Sequence, residues 1–124
     1  MKNPMLLFAF VAVACALAMA GCTKKSSSPA ASEMTVEQLS ERGKAIYTSN
    51  CIACHNTDPS KEGSVGPAVA GANRDLIEAR VMKAEYPTGY EPKRTTHTMA
   101  ALPHLEKEIP ALAAYLSSIK SDSK

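Results

Sequence analysis

Cys51-Ile52-Ala53-Cys54-His55 constrains this chain of 124 residues more than any other stretch. Two thiols stand three residues apart, and a histidine directly follows the second. On one helical turn residues i and i+3 point the same way, so both sulfurs reach the two vinyl groups along one edge of a single haem. The histidine then falls under the iron, where its neutral imidazole nitrogen is a natural fifth ligand. This is the spacing of covalent c-type haem attachment, and a chain that carries it has to fold around a flat, largely apolar group. Three other uses of the pair compete with it. A thioredoxin-like redox couple needs a β-α-β setting, but no alternating or β-branched run precedes Cys51. A zinc site would recruit His97 and His104 from more than forty residues away, a spacing that matches no common finger. A plain disulfide closing so tight a ring gains little from loop closure.

Residues 1–21 read as a targeting segment rather than as fold. Lys2 gives a positive start, the run from Met5 to Ala20 is almost wholly apolar, and small residues close it. The run is shorter than the ~20 apolar residues that span a bilayer comfortably, which sets a cleaved signal ahead of an uncleaved anchor. Met19-Ala20-Gly21-Cys22 resembles the lipobox of bacterial lipoproteins, with Met19 where leucine is usual. The resemblance implies that Cys22 is joined to diacylglycerol and becomes the mature N-terminus. Ordinary cleavage after Ala18-Met19-Ala20 would instead leave Cys22 as a free thiol in an exported protein. With Cys22 lipidated, Cys15 leaves with the signal, Cys51 and Cys54 take haem, and no cysteine remains for a disulfide. The expected location is the outer, periplasmic side of a bacterial cytoplasmic membrane, with the N-terminal lipid as anchor. Residues 22–33 follow as a polar, small-residue linker, whose r.m.s. span of about 20 Å lets a tethered domain swing between partners.

Residues 34–120 form the foldable domain, and 121–124 are read as a disordered tail. The domain shows three helical patterns and no convincing strand. Thr35 and Gln38 make a possible capping box, after which Val36, Leu39, Gly43, Ile46 and Tyr47 recur at helical spacing up to Cys51. A second helix starts at Asn73 as N-cap, carries Leu76, Ile77, Val81 and Ala84 on one stripe, and is expected to end at Tyr86-Pro87. The last carries Ile109, Leu112, Leu116 and Ile119 on one face. Pro110 is tolerated only in a first turn, so this helix is expected to begin near Glu106 or Lys107. A side-chain core is marginal at this size, and a haem tied at three points would staple it. Charge does not point to a nucleic-acid partner: the chain without its signal keeps 13 of its 14 basic residues against 12 acidic ones, and two haem propionates offset the remainder.

Together these residues resemble a class I c-type cytochrome, over roughly Leu39 to Ile119. Gly43 and Tyr47 lie eight and four residues before Cys51, where that family places a glycine and an aromatic for contact between first and last helices. Ala114-Tyr115-Leu116 is similar to its last-helix signature. Gly66-Pro67 sets a proline twelve residues after His55, where the family uses the carbonyl to accept the histidine N–H. The resemblance implies an all-α fold of three or more helices, with long loops wrapped around one covalent haem c. It implies His55 and Met99 as iron ligands, Met99 lying in a loop ahead of the last helix; His97, His104 and an open sixth site are the alternatives. Met82 on the second helix is read as packing, as are Val65, Leu76, Val81, Leu102 and Leu112, facing haem or core. Tyr90, Lys93 and Arg94 are each read as solvated turn residues, with hydrogen bonding to the propionates as the alternative. The implied function is one-electron carriage between redox partner proteins of an exported electron-transfer chain, as a monomer and with no catalysis of its own. An electron-entry subunit of a larger oxidoreductase and a five-coordinate haem gas sensor or peroxidase are the competing roles.

Overall fold

The structure, a computed structural model, describes residues 33–120. The signal segment, Cys22, linker residues 23–32 and the 121–124 tail lie outside the described residues. Among the described residues, three α-helices and one 3-10 segment make up the regular structure, and there is no strand. The fold is therefore all-α, as the sequence implied.

Helix α1, Val36–Asn50, opens on the expected capping box. Thr35 Oγ1 accepts from the Gln38 N–H at 3.3 Å, and Gln38 Oε1 accepts from the Thr35 N–H at 2.9 Å, so the first turn loses two otherwise unpartnered donors. Helix α2, Arg74–Lys83, is capped by Asn73, whose Oδ1 accepts from the Leu76 N–H at 2.9 Å. It stops short of Tyr86-Pro87 because Ala84 turns left-handed, at φ 58°. The Glu85 N–H then reaches back to the Ala79 carbonyl at 3.2 Å, and Arg80 donates to the Ala84 carbonyl, which satisfies the helix end without proline.

The last helix differs from expectation in its start. A 3-10 segment occupies Pro103–Glu108, and helix α3 runs Ile109–Ser118 with Pro110 in its first turn. Proline lacks the N–H that would bond the carbonyl of Glu106, and its ring crowds that carbonyl. The α register therefore cannot extend back to Glu106 or Lys107, and the tighter turn fills the gap.

Helices α1 and α3 cross in contact, and glycine makes the crossing close. A Cβ on Gly43 would lie 2.0 Å from the Ala111 carbonyl oxygen and 2.8 Å from the Tyr115 Cβ, so no side chain fits there. Tyr47 packs beside it, its ring 5.8 Å from that of Tyr115. Ile77 and Val81 of α2, Leu105 of the 3-10 segment and Ile109, Leu112 and Leu116 of α3 complete the buried core. Among the described residues no charged residue is buried, and the Tyr47 hydroxyl is the core's polar group. Two backbone bonds stitch the loops to this frame: Gly71 N–H to the Leu116 carbonyl at 2.8 Å, and Leu102 N–H to the Val81 carbonyl at 2.6 Å. No described helix is long and apolar enough to cross a membrane.

Candidate haem site

The attachment pentapeptide follows α1 directly. The Cys51 N–H bonds the Tyr47 carbonyl at 2.9 Å, and the Cys54 and His55 N–H groups both return to the Cys51 carbonyl, at 3.1 and 2.9 Å. The turn thus continues the helical winding and keeps both thiols and the imidazole on one short piece of chain. Cys51 and Cys54 are not joined to each other.

His55 is held from two sides. Its Nδ1 lies 2.9 Å from the Pro67 carbonyl oxygen. A carbonyl only accepts, so Nδ1 carries the proton and Nε2 keeps its lone pair. A Cβ on Gly66 would lie 2.4 to 2.9 Å from three atoms of the ring, which places the imidazole flat against a residue without a side chain. Gly63 does the same for the backbone, since a Cβ there would fall 2.3 Å from the Cys54 carbonyl oxygen. That oxygen also accepts from the Val65 and Gly66 N–H groups at 3.2 and 2.9 Å. The 63–67 loop is therefore a mould for Cys54 and His55.

Tyr47 adds a tie that helix spacing alone did not reveal. Its buried hydroxyl donates to the Asn56 carbonyl at 2.6 Å, pinning the residue after His55, and burial pushes its pKa up to about 12. Asn56 in turn accepts from the Asp58 N–H at 3.0 Å and donates to the Glu62 carbonyl at 3.2 Å.

Cys51, Cys54, His55 and Met99 all line one cavity of about 520 Å³, together with Val69, Leu76, Ile77, Val81, Leu102, Leu112 and Leu116. That volume lies within the range of cofactor clefts. His97 and His104 do not line it. Both are exposed, His104 on the 3-10 segment and His97 edge-on to Tyr86 with ring centres 6.5 Å apart. Tyr86 itself stacks on Tyr90 at 5.4 Å and lies under the Arg80 guanidinium at 4.1 Å. Arg94 departs from the solvated reading by being half-buried, while Lys93 stays exposed. Lys93 Nζ donates to the Ala68 carbonyl at 3.0 Å and Arg94 Nη1 to the Val65 carbonyl at 2.8 Å. Val65 lines the cavity yet stays 41% exposed, and Met82 packs against the core as expected.

These residues fit a covalent haem on chemical grounds. The cleft is apolar and wide, one imidazole nitrogen is oriented with a free lone pair, and both thiols stand at the cavity wall, unjoined to each other. Burial, followed by the neighbouring Cys54, pushes the Cys51 thiol up to about 11. A family model described as Cytochrome c matches residues 40–120, more than half of the chain. The chain belongs to the cytochrome c family. No curated protein and no solved structure matches it. The cytochrome is accordingly a haem-binding electron carrier whose cofactor is covalent haem c, with Cys51 and Cys54 fitting the attachment motif.

Proposed function

We propose that this cytochrome is a class I, monohaem electron carrier with His55 and Met99 as axial ligands, tethered outside a bacterial cytoplasmic membrane through a lipid on Cys22. The observation that carries the axial reading is the shared cavity: His55, oriented by Pro67, and Met99 line it, while His97 and His104 do not. When bound, the haem iron supplies a one-electron couple between its ferric and ferrous states. The chain's own groups set how that couple is used. The Pro67 carbonyl fixes the His55 tautomer and makes Nε2 a stronger donor. A Met99 thioether favours the ferrous state and raises the potential relative to two histidines. The apolar lining holds water away from the iron, and the exposure of Cys54, Ile52 and Val65 leaves one edge of the site at the surface. An electron therefore passes to a docked redox partner without any bond being made or broken, and the carrier acts as a monomer with no catalysis of its own.

Intact-mass and absorption measurements on the mature protein test this reading. The expected mass is that of the chain from Cys22 plus one haem and diacylglycerol, and an unmodified N-terminus would sink the anchor. The oxidised spectrum should carry the far-red methionine-to-ferric-haem band, and Met99→Ala should abolish it. A band that survives the substitution, or rapid carbon monoxide binding by the reduced wild type, would overturn the axial assignment.

A further inference from the structure

The segment that carries Met99 to the cavity has little backbone support. Among the described residues no backbone hydrogen bond ties 91–101 to the rest of the molecule; the nearest are Tyr90 N–H to Pro87 before it and Leu102 N–H to Val81 after it. Its polar ties are two side chains. Arg94 is half-buried, and its guanidinium bonds the Val65 carbonyl and Glu62 Oε2 at 2.8 Å each and reaches the Gly63 carbonyl at 3.4 Å. Lys93 adds the bond to Ala68.

The acceptors stand on both sides of Gly66 and Pro67, the two residues that seat His55. One guanidinium thus joins the loop behind the proximal histidine to the loop that bears Met99, 29 residues apart at Val65. We propose that Arg94 is a clasp: a positioning residue that keeps the Met99 segment closed over the haem cleft by fastening it to the His55 loop. This rests on Met99 as the sixth ligand. An outside ligand reaches the iron only when the segment swings open, so its apparent affinity is the intrinsic affinity scaled by the fraction open. The planar, five-donor fork of arginine serves several acceptors at once, whereas lysine presents a compact charge. Glu62 is 69% exposed, and an ion pair so open to water is worth little. The carbonyl bonds therefore carry the clasp.

Imidazole titration of the oxidised, haem-loaded protein, followed on the far-red band, tests it. Arg94→Gln should bind imidazole about tenfold more tightly, equivalent to about 1.4 kcal/mol, and lose the band at lower temperature. Arg94→Lys should fall between that variant and the wild type, and Glu62→Gln should change the affinity by about twofold at most. Wild-type imidazole affinity in both Arg94 variants, with the band present, would overturn the clasp. Should Arg94→Gln not fold, Arg94→Lys decides in the same way: an intermediate affinity supports the clasp and a wild-type affinity overturns it. A band that survives Met99→Ala would mark failure of the axial reading instead.

Discussion

Gly66 shows how one absent side chain sets a ligand's orientation. A methyl group there would press within 2.4 Å of the His55 ring, and the ring cannot retreat without stretching its 2.9 Å bond to Pro67. Glycine-to-alanine changes stabilise by about 0.4 to 1 kcal/mol where the backbone tolerates them. Overpacking a filled site costs about 1 to 3 kcal/mol, so the steric cost wins. Gly66→Ala should lower the melting temperature of the haem-loaded protein by roughly 5 to 10 °C, and calorimetry checks this. An unchanged or raised melting temperature would mean that the 63–67 loop gives way freely. The Gly66-Pro67 pair was legible in the sequence through its distance from His55. Gly63 was not, because nothing in its neighbours signals that it touches the Cys54 carbonyl.

At the scale of elements, one ion pair joins the start of the fold to its end. Arg42 on α1 grips Glu108 at the end of the 3-10 segment through two bonds of 2.6 Å, both side chains being largely covered. The hydrogen bond from Arg42 holds the Glu108 carboxyl below the usual carboxylate range, aided by the opposite charge and opposed by burial. A carboxyl lowered on folding adds stability in full above its unfolded pKa of about 4.3 and loses it as pH falls through the folded value. Arg42 is raised by the same bond, and its complementary loss lies at pH values above the working range. Glu108→Gln should therefore cost about 1 kcal/mol near neutral pH, and the gap to the wild type should close as pH falls from about 5 towards 3. Denaturant melts at several pH values check it. Asp58, also lowered, by Ser60 and Lys61, is common to both proteins and drops out of the difference. A gap that persists at low pH would mean that packing rather than charge is lost. Such long-range contacts explain what the sequence left unread: 66 residues separate Arg42 from Glu108, and 29 separate Arg94 from Val65. Helix existence, by contrast, was written locally in the Thr35 and Asn73 caps and the apolar spacing, while the α3 start hid behind a 3-10 turn with no spacing signature of its own.

For the whole molecule, the cavity dominates the energetics. The core residues of α1, α2 and α3 line it as much as they pack on one another: Tyr47, Ile77, Val81, Leu112 and Leu116 belong to both. Scaling about 24 cal/mol per Å³ of unfilled apolar volume to a cleft of about 520 Å³ gives a penalty on the order of 10 kcal/mol. Water entering at the open edge makes that an upper bound, yet it equals the entire stability of an ordinary domain, roughly 5 to 15 kcal/mol. The loops fare no better, since the 63–67 mould and the Arg94 clasp both close around the histidine and methionine that face the cleft. The cofactor is thus expected to complete the core, and folding to depend on its attachment. Replacing Cys51 and Cys54 with serine, which removes both points of attachment, should yield a haem-free protein with no cooperative thermal transition and with weakened far-ultraviolet helical dichroism. A sharp transition with native-like enthalpy in that protein would show that the helices close without the haem, and would return the cofactor to the status of a passenger.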